Sequence, residues 1–189
     1  MMDAAMTETE RTVIEDTQTW LMQAVVGLNL CPFAKAVVVK DRVRYRVCTS
    51  ADPAELLAML RDELQHLAEA GPEQLDTTLL IAPHALPEFL DFNDFLGDCN
   101  AVLQHLALDG VLQVADFHPR YQFGGTDVDD MENFTNRSPY PTLHLLRESS
   151  IDKAVEAYPD ASLNFERNIE VLNTLGHAGW LALGVRARV

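Results

Sequence analysis

Three short apolar runs constrain the fold more than anything else in this chain. They are RVRYRV from Arg42, TTLLIA from Thr77 and VLQVADF from Val111, and one helical stripe separates each from the next. Between the first two, Leu56, Leu60, Leu64 and Leu67 recur at helical spacing behind Asp52-Pro53-Ala54-Glu55. That opening supplies a capping side chain, a first-turn proline and an acid. Between the second and third run Phe92, Phe95, Leu96, Cys99, Leu103 and Leu106 form the stripe, closed by the turn Asp109-Gly110. Strand, helix, strand, helix, strand predicts parallel strands joined by right-handed crossovers.

A fourth strand, Thr142 to Leu146, has no helix before it and is free to run antiparallel. Val13, Thr17, Leu21, Val25 and Leu28 mark an amphipathic helix over Thr12 to Leu28, and Pro32 suits the first turn of a short second helix. A short helix from Ser149 ends at Tyr158-Pro159, and Phe165, Ile169, Leu172 and Leu175 mark a last one closed by Gly176. The expected fold is α/β (α+β): a mixed, mainly parallel four-stranded sheet packed by about five helices. One domain over 12–176 is expected, with a disordered tail at 1–11 and an apolar, weakly patterned tail at 177–189. Arg42, Arg44 and Arg46 alternate on the first strand, which predicts a partly open sheet face.

About two dozen residues without periodicity separate the third and fourth strands, and a loop that long in a compact domain is usually functional or disordered. This one, Phe117 to Glu148, carries Tyr121, Phe123, Met131, Phe134 and Tyr140, too many large side chains for a solvated tether. It leaves the sheet at the carboxyl edge of the parallel strands, where ligands of open α/β sheets bind.

The reactive candidates follow from this placement. His118, at the loop mouth, is a candidate general base. Cys31, before Pro32 and one turn from Lys35, is a candidate thiolate nucleophile at a helix N-terminus. Tyr121, Asn136, Arg137, Ser138 and His144 are candidate ligand-binding residues, with the Arg137 fork suited to a carboxylate or phosphate. Arg137 is equally suited to tie the loop down. Cys99 lies on an apolar stripe and reads as core; Cys48 is more readily structural than reactive. The acids Asp127, Asp129, Asp130 and Glu132 lack the spacing of a calcium loop, and no zinc pattern is present, so no metal or other cofactor is expected. Gly124-Gly125 belongs to no phosphate-binding fingerprint.

Fourteen basic against 29 acidic residues give a net charge of -15, which disfavours nucleic acid and anionic membrane as partners. Three cysteines do not make a disulfide framework, and the start has neither the basic nor the apolar region of a leader. The chain reads as soluble and cytoplasmic.

GLNLCPFAKA, TTLLI, DFNDFL, LQVADFHPRYQFGGT and TNRSPYPTLHLLRE together resemble a bacterial family catalogued as a domain of unknown function. The resemblance runs from about Thr17 to Gly176 and departs from the family pattern at Gly124, where alanine is usual. It implies a single-domain bacterial protein and brings no activity, cofactor or site residue with it. The residues themselves predict a small enzyme acting on an anionic small molecule at the loop. Two alternatives stand beside that reading: a non-catalytic module that binds a ligand or protein through the same loop, and a metal-dependent hydrolase using His118, His144 and the loop acids.

Overall fold

The computed structural model describes residues 6–157 and 164–188. Helix α1 (Glu8–Trp20) begins with a reciprocal cap: Thr7 Oγ1 accepts from the Glu10 N–H at 3.2 Å, and the Glu10 carboxylate accepts from the Thr7 N–H at 2.8 Å. It runs into one wide π turn, Leu21–Val26, and then α2 (Ala34–Val39). There follow β1 (Val43–Val47), α3 (Pro53–Glu69), β2 (Thr77–Ile81), α4 (Phe89–His105) and β3 (Leu112–Phe117). A 3-10 turn at Met131–Thr135 sits in the long loop before β4 (Thr142–Arg147), α5 (Glu148–Ala157) and α6 (Asn164–Ala182). Among the described residues, no helix is long and apolar enough to cross a membrane.

The sheet has four strands in the order β1-β2-β4-β3. β1 pairs with β2 in parallel, and β4 pairs antiparallel with both β2 and β3. The three strands expected to share a direction do so. β4 nevertheless inserts between two of them, so only one of the three neighbouring pairs is parallel and the sheet is mixed. The reason lies in burial. Every residue of β2 is buried, as are four of the six in β4, while β1 and β3 keep half-exposed positions. The two most buried strands take the centre, and the chain between β3 and β4 is long enough to let β4 return there.

Helices cover both faces. Leu80, Leu112, Leu143 and Leu145 pack against Leu56, Leu60, Leu64, Phe92 and Phe95 of α3 and α4. On the other face Val47, Leu79 and Ile81 meet Val13 and Trp20 of α1, the π turn, and Leu172 and Trp180 of α6. The arginines of the first run stay partly exposed, as the alternation predicts, and are also paired. Arg44 Nε and Arg46 Nε lie 2.7 and 2.9 Å from the carboxylate of Glu63, a buried residue of α3, and Arg42 pairs with Glu73 and Asp76.

Both terminal expectations change. Helix α1 already starts at Glu8; the rest of the expected N-terminal tail, residues 1–5, lies outside the described residues, as does the expected stop at Tyr158-Pro159. Gly176 bends the last helix (φ 62°, ψ 175°) where the sequence predicts its end. Beyond it Trp180 and Val185 are buried, and the Arg188 N–H donates to Pro139 O at 2.9 Å. Trp180 packs on Phe134 with ring centroids 5.0 Å apart, which is enough to hold the segment down.

The carboxyl end of α3 is closed from across the sheet. The buried Arg147 guanidinium donates to Leu67 O, to Ala70 O at 2.6 Å and to Leu75 O at 3.1 Å. The Leu67 and Ala70 carbonyls belong to the helix end, where no partner within the helix follows, Leu75 O lies in the segment before β2, and the cation also complements the helix dipole. Arg147→Ala is expected to strand them and cost about 3 kcal/mol, with Arg147→Lys recovering only part because it lacks the planar fork. Urea unfolding of both variants checks this; a wild-type midpoint for Arg147→Ala would show that water replaces the guanidinium freely.

Candidate functional site

The long loop is bonded to itself. The His118 N–H donates to Asn136 O at 3.1 Å, which clips the two ends together. Asn133, fully buried, accepts from the Phe123 N–H (2.9 Å) and Thr126 Oγ1 (2.8 Å), and its Nδ2 donates to Asp127 O (2.8 Å). Arg137 Nε donates to Tyr121 O at 3.1 Å and Nη2 to Val128 O at 2.6 Å, and its Cζ lies 4.4 Å from the centre of the Phe134 ring. Asn136 Nδ2 donates to Asp116 O (3.3 Å) and Ser138 Oγ to Tyr140 O (2.6 Å). The Tyr121 ring packs between Phe89 and Phe123, at 4.7 and 5.0 Å. Buried Pro119, Pro139 and Pro141 complete the packing. The loop is a plug in which His118, Asn133 and Ser138 are buried, while Arg120, Gln122, Asp127, Asp129 and Asp130 stay exposed.

His118 belongs to that plug. Its ring is fully buried against Phe89 and Phe92. Nδ1 accepts from the Arg120 N–H at 3.0 Å, so the proton sits on Nε2, which donates to Leu86 O at 3.1 Å. Burial first, and the Arg120 charge as a lesser cause, push its pKa down. Both ring nitrogens are engaged, which leaves neither for a substrate. One consequence is structural: the ring fixes Leu86, which holds a left-handed φ of 54°.

The hollow of the molecule lies elsewhere. A cavity of about 340 Å³ opens between the sheet and the turn that joins α1 to α2. Trp20, Val25, Cys31 and Val38 wall one side; Leu79, Ala115, Phe117 and His144 wall the other. The register explains the space. Leu79, His144 and Ala115 stand side by side on β2, β4 and β3, and Ala115 is the one small side chain of the three. The π turn runs along the opposite wall, and such wide turns recur at functional sites.

Two predicted residues meet here. Cys31 is half-buried on the cavity wall, but not at a helix N-terminus: α2 starts three residues later and is six residues long, and Cys31 O only accepts from the Ala34 N–H at 3.3 Å. His144 faces the hollow from the middle of β4. Its ring has no hydrogen-bond partner among the described residues, and the Phe117 ring packs beside it with centroids 5.9 Å apart. Burial pushes its pKa down to about 4, so the ring is neutral at pH 7. Cys48 and Cys99 are sealed in the other core, where burial raises both thiols, Cys99 to about 12.

His118 and Arg137 line neither this cavity nor the polar cleft of about 410 Å³ near Glu8, His84 and Arg188, where Arg188 is already paired with Asp16 at 3.0 Å. His118 and His144 occupy opposite faces of the sheet, which separates the pair required by the hydrolase alternative. Among the described residues, no three His, Cys, Asp or Glu side chains converge as metal ligands would. Sequence reasoning missed Trp20, Ala115 and the π turn. The alternation Gln113-Ala115-Phe117 against His144 is the signal that places them on one face.

His118 is buried and His144 is partly buried, and burial holds both rings neutral at pH 7, which gives stability a pH dependence. Each has a folded pKa below the unfolded value of about 6.5. The unfolded chain therefore binds more protons below that pH, and stability present above 6.5 is lost as pH falls toward the folded values. For His144, which reaches about 4, the loss amounts to roughly 2–3 kcal/mol between pH 6.5 and 4. Urea unfolding across that range is expected to show a shallower pH slope in His144→Phe than in the wild type; equal slopes would mean that the ring titrates normally.

No curated protein and no solved structure matches the chain. A family match covers residues 12–182, nearly the whole of the folded region. The chain therefore belongs to the family described as Protein of unknown function (DUF1415).

Proposed function

We propose that the protein is a binding module for a small, largely apolar molecule, held in the hollow between the sheet and the π turn. The observation that carries this reading is the hollow itself. Protein interiors close-pack, and voids larger than a water molecule are few. A space of about 340 Å³ lined by Trp20, Leu79, Phe117 and other apolar side chains falls in the range of small-molecule sites. The loop offers less to a ligand, because its amides and its Arg137 fork are already bonded to carbonyl groups of the chain. Three free thiols suit a reducing compartment, which supports a cytoplasmic location.

Filling the hollow from the sheet side tests the reading. Ala115→Leu is expected to lower the affinity for the neutral dye N-phenylnaphthylamine at least tenfold and to move the melting temperature by less than about 3 °C. Ala34→Leu fills it from the facing wall and is expected to act alike. Dye titration followed by fluorescence gives the result; undiminished binding in both variants would place the dye elsewhere and sink the proposal.

A second reading keeps Cys31 as a nucleophile, because it is the half-buried thiol among two sealed ones and it lines the same hollow. Iodoacetamide on the folded protein is expected to alkylate Cys31 before Cys48 and Cys99, and saturating N-phenylnaphthylamine to slow that alkylation. Peptide mass spectrometry decides; an unmodified Cys31 ends the nucleophile reading while leaving the binding reading in place.

A further inference from the structure

His144 is a polar ring set in the middle of an apolar wall. Its cross-strand neighbours on that face are Leu79 and Ala115, and Phe117 packs beside it. No protein group among the described residues takes up either ring nitrogen. A neutral imidazole offers one N–H donor and one lone pair, the complement of a hydroxyl group, and a carbonyl satisfies the donor alone. The charged residues around the hollow are accounted for. Arg147 contributes to its lining, yet its guanidinium is engaged by the carbonyls of Leu67, Ala70 and Leu75. Asp76 accepts from Ser150 Oγ at 3.0 Å and lies 3.6 Å from Arg42. Hydrogen bonds to carbonyls leave the Arg147 charge in place, but the Asp76 carboxylate near it offsets that charge. A carboxylate or phosphate entering the hollow would therefore compete with Asp76, and an ammonium group would compete with Arg42 and Arg147. Charge buried without a partner is costly.

We infer that the hollow selects an uncharged ligand with an apolar body and one hydrogen-bonding head group, an alcohol or a carbonyl, seated against the His144 ring. This rests on the binding reading above and narrows it to a chemical class. The apolar body supplies affinity against Trp20, Val25 and Phe117; the head group supplies orientation.

Three probes that share one ring system separate the possibilities: naphthalene, naphthol and naphthoate, titrated by calorimetry at pH 7.5. The wild type is expected to bind naphthol about fivefold to tenfold more tightly than naphthalene, the yield of one net hydrogen bond, and naphthoate at least tenfold more weakly than naphthol. In His144→Phe the ratio of naphthol to naphthalene affinity is expected to fall to about one, whatever the larger ring does to naphthalene affinity itself. His144→Gln, which keeps a donor and an acceptor, is expected to retain part of the preference. Equal affinity for naphthalene and naphthol in the wild type, or a preference that survives His144→Phe, overturns the role of His144 and leaves the cavity reading standing. Naphthoate as the tightest ligand overturns the uncharged class. No heat with any of the three overturns the cavity reading and this inference with it.

Discussion

Everything in this molecule depends on β4 reaching the centre of the sheet. Its backbone pairs with β2 over Thr142 to Leu146 and with β3 over Thr142 to Arg147, so it satisfies hydrogen-bonding groups on both neighbours at once. Without it β2 and β3 would each lose a partner in a buried sheet, and an unpaired buried amide or carbonyl costs about as much as a lost hydrogen bond. β4 also carries Leu143 and Leu145 to one core, His144 to the hollow and Arg147 to the end of α3. One strand thus sets both layers of helices.

That strand can return only because the loop before it is solid. A free connection of about two dozen residues would lose conformational entropy at every residue it ordered, at about 1–2 kcal/mol each for the backbone. The loop offsets this with internal bonds. Asn133 holds three groups, Arg137 bridges Tyr121 and Val128, and His118 joins the loop mouth to Leu86. Networks of this kind rigidify when every member is satisfied. The loop therefore acts as a structural element that delivers β4.

The sequence makes the strands and main helices legible because burial leaves a period. Val43-Tyr45-Val47, TTLLI and the leucines of α3 show their faces directly. The insertion of β4 leaves no such mark: edge strand β3 (LQVADF) is more apolar than central β4 (TLHLLR), so strand order cannot be read from apolar content. The loop admits two readings for a physical reason. A buried polar network and a reactive site draw on the same residues, aromatic anchors beside histidine, arginine and asparagine, and only the direction of each side chain tells them apart. His118 and Arg137 point inward. Cys31 and His144 carry signals as single residues, but their meeting depends on a π turn and on the small size of Ala115, neither of which has a local pattern.

His144 shows where packing gives way to some other requirement. A phenylalanine at that position would fill space between Leu79 and Phe117 and leave no polar atom to satisfy. The imidazole, partly exposed to the hollow, instead puts a donor and an acceptor on an apolar wall. Water or a ligand in the hollow relieves them of going unpaired. Ala115 keeps that relief available by leaving room beside the ring. A larger residue there would seal the nitrogens against hydrocarbon. On the proposed binding reading the small side chain and the polar ring are one feature: Ala115 leaves the room and His144 supplies the polar contact for an occupant of that space.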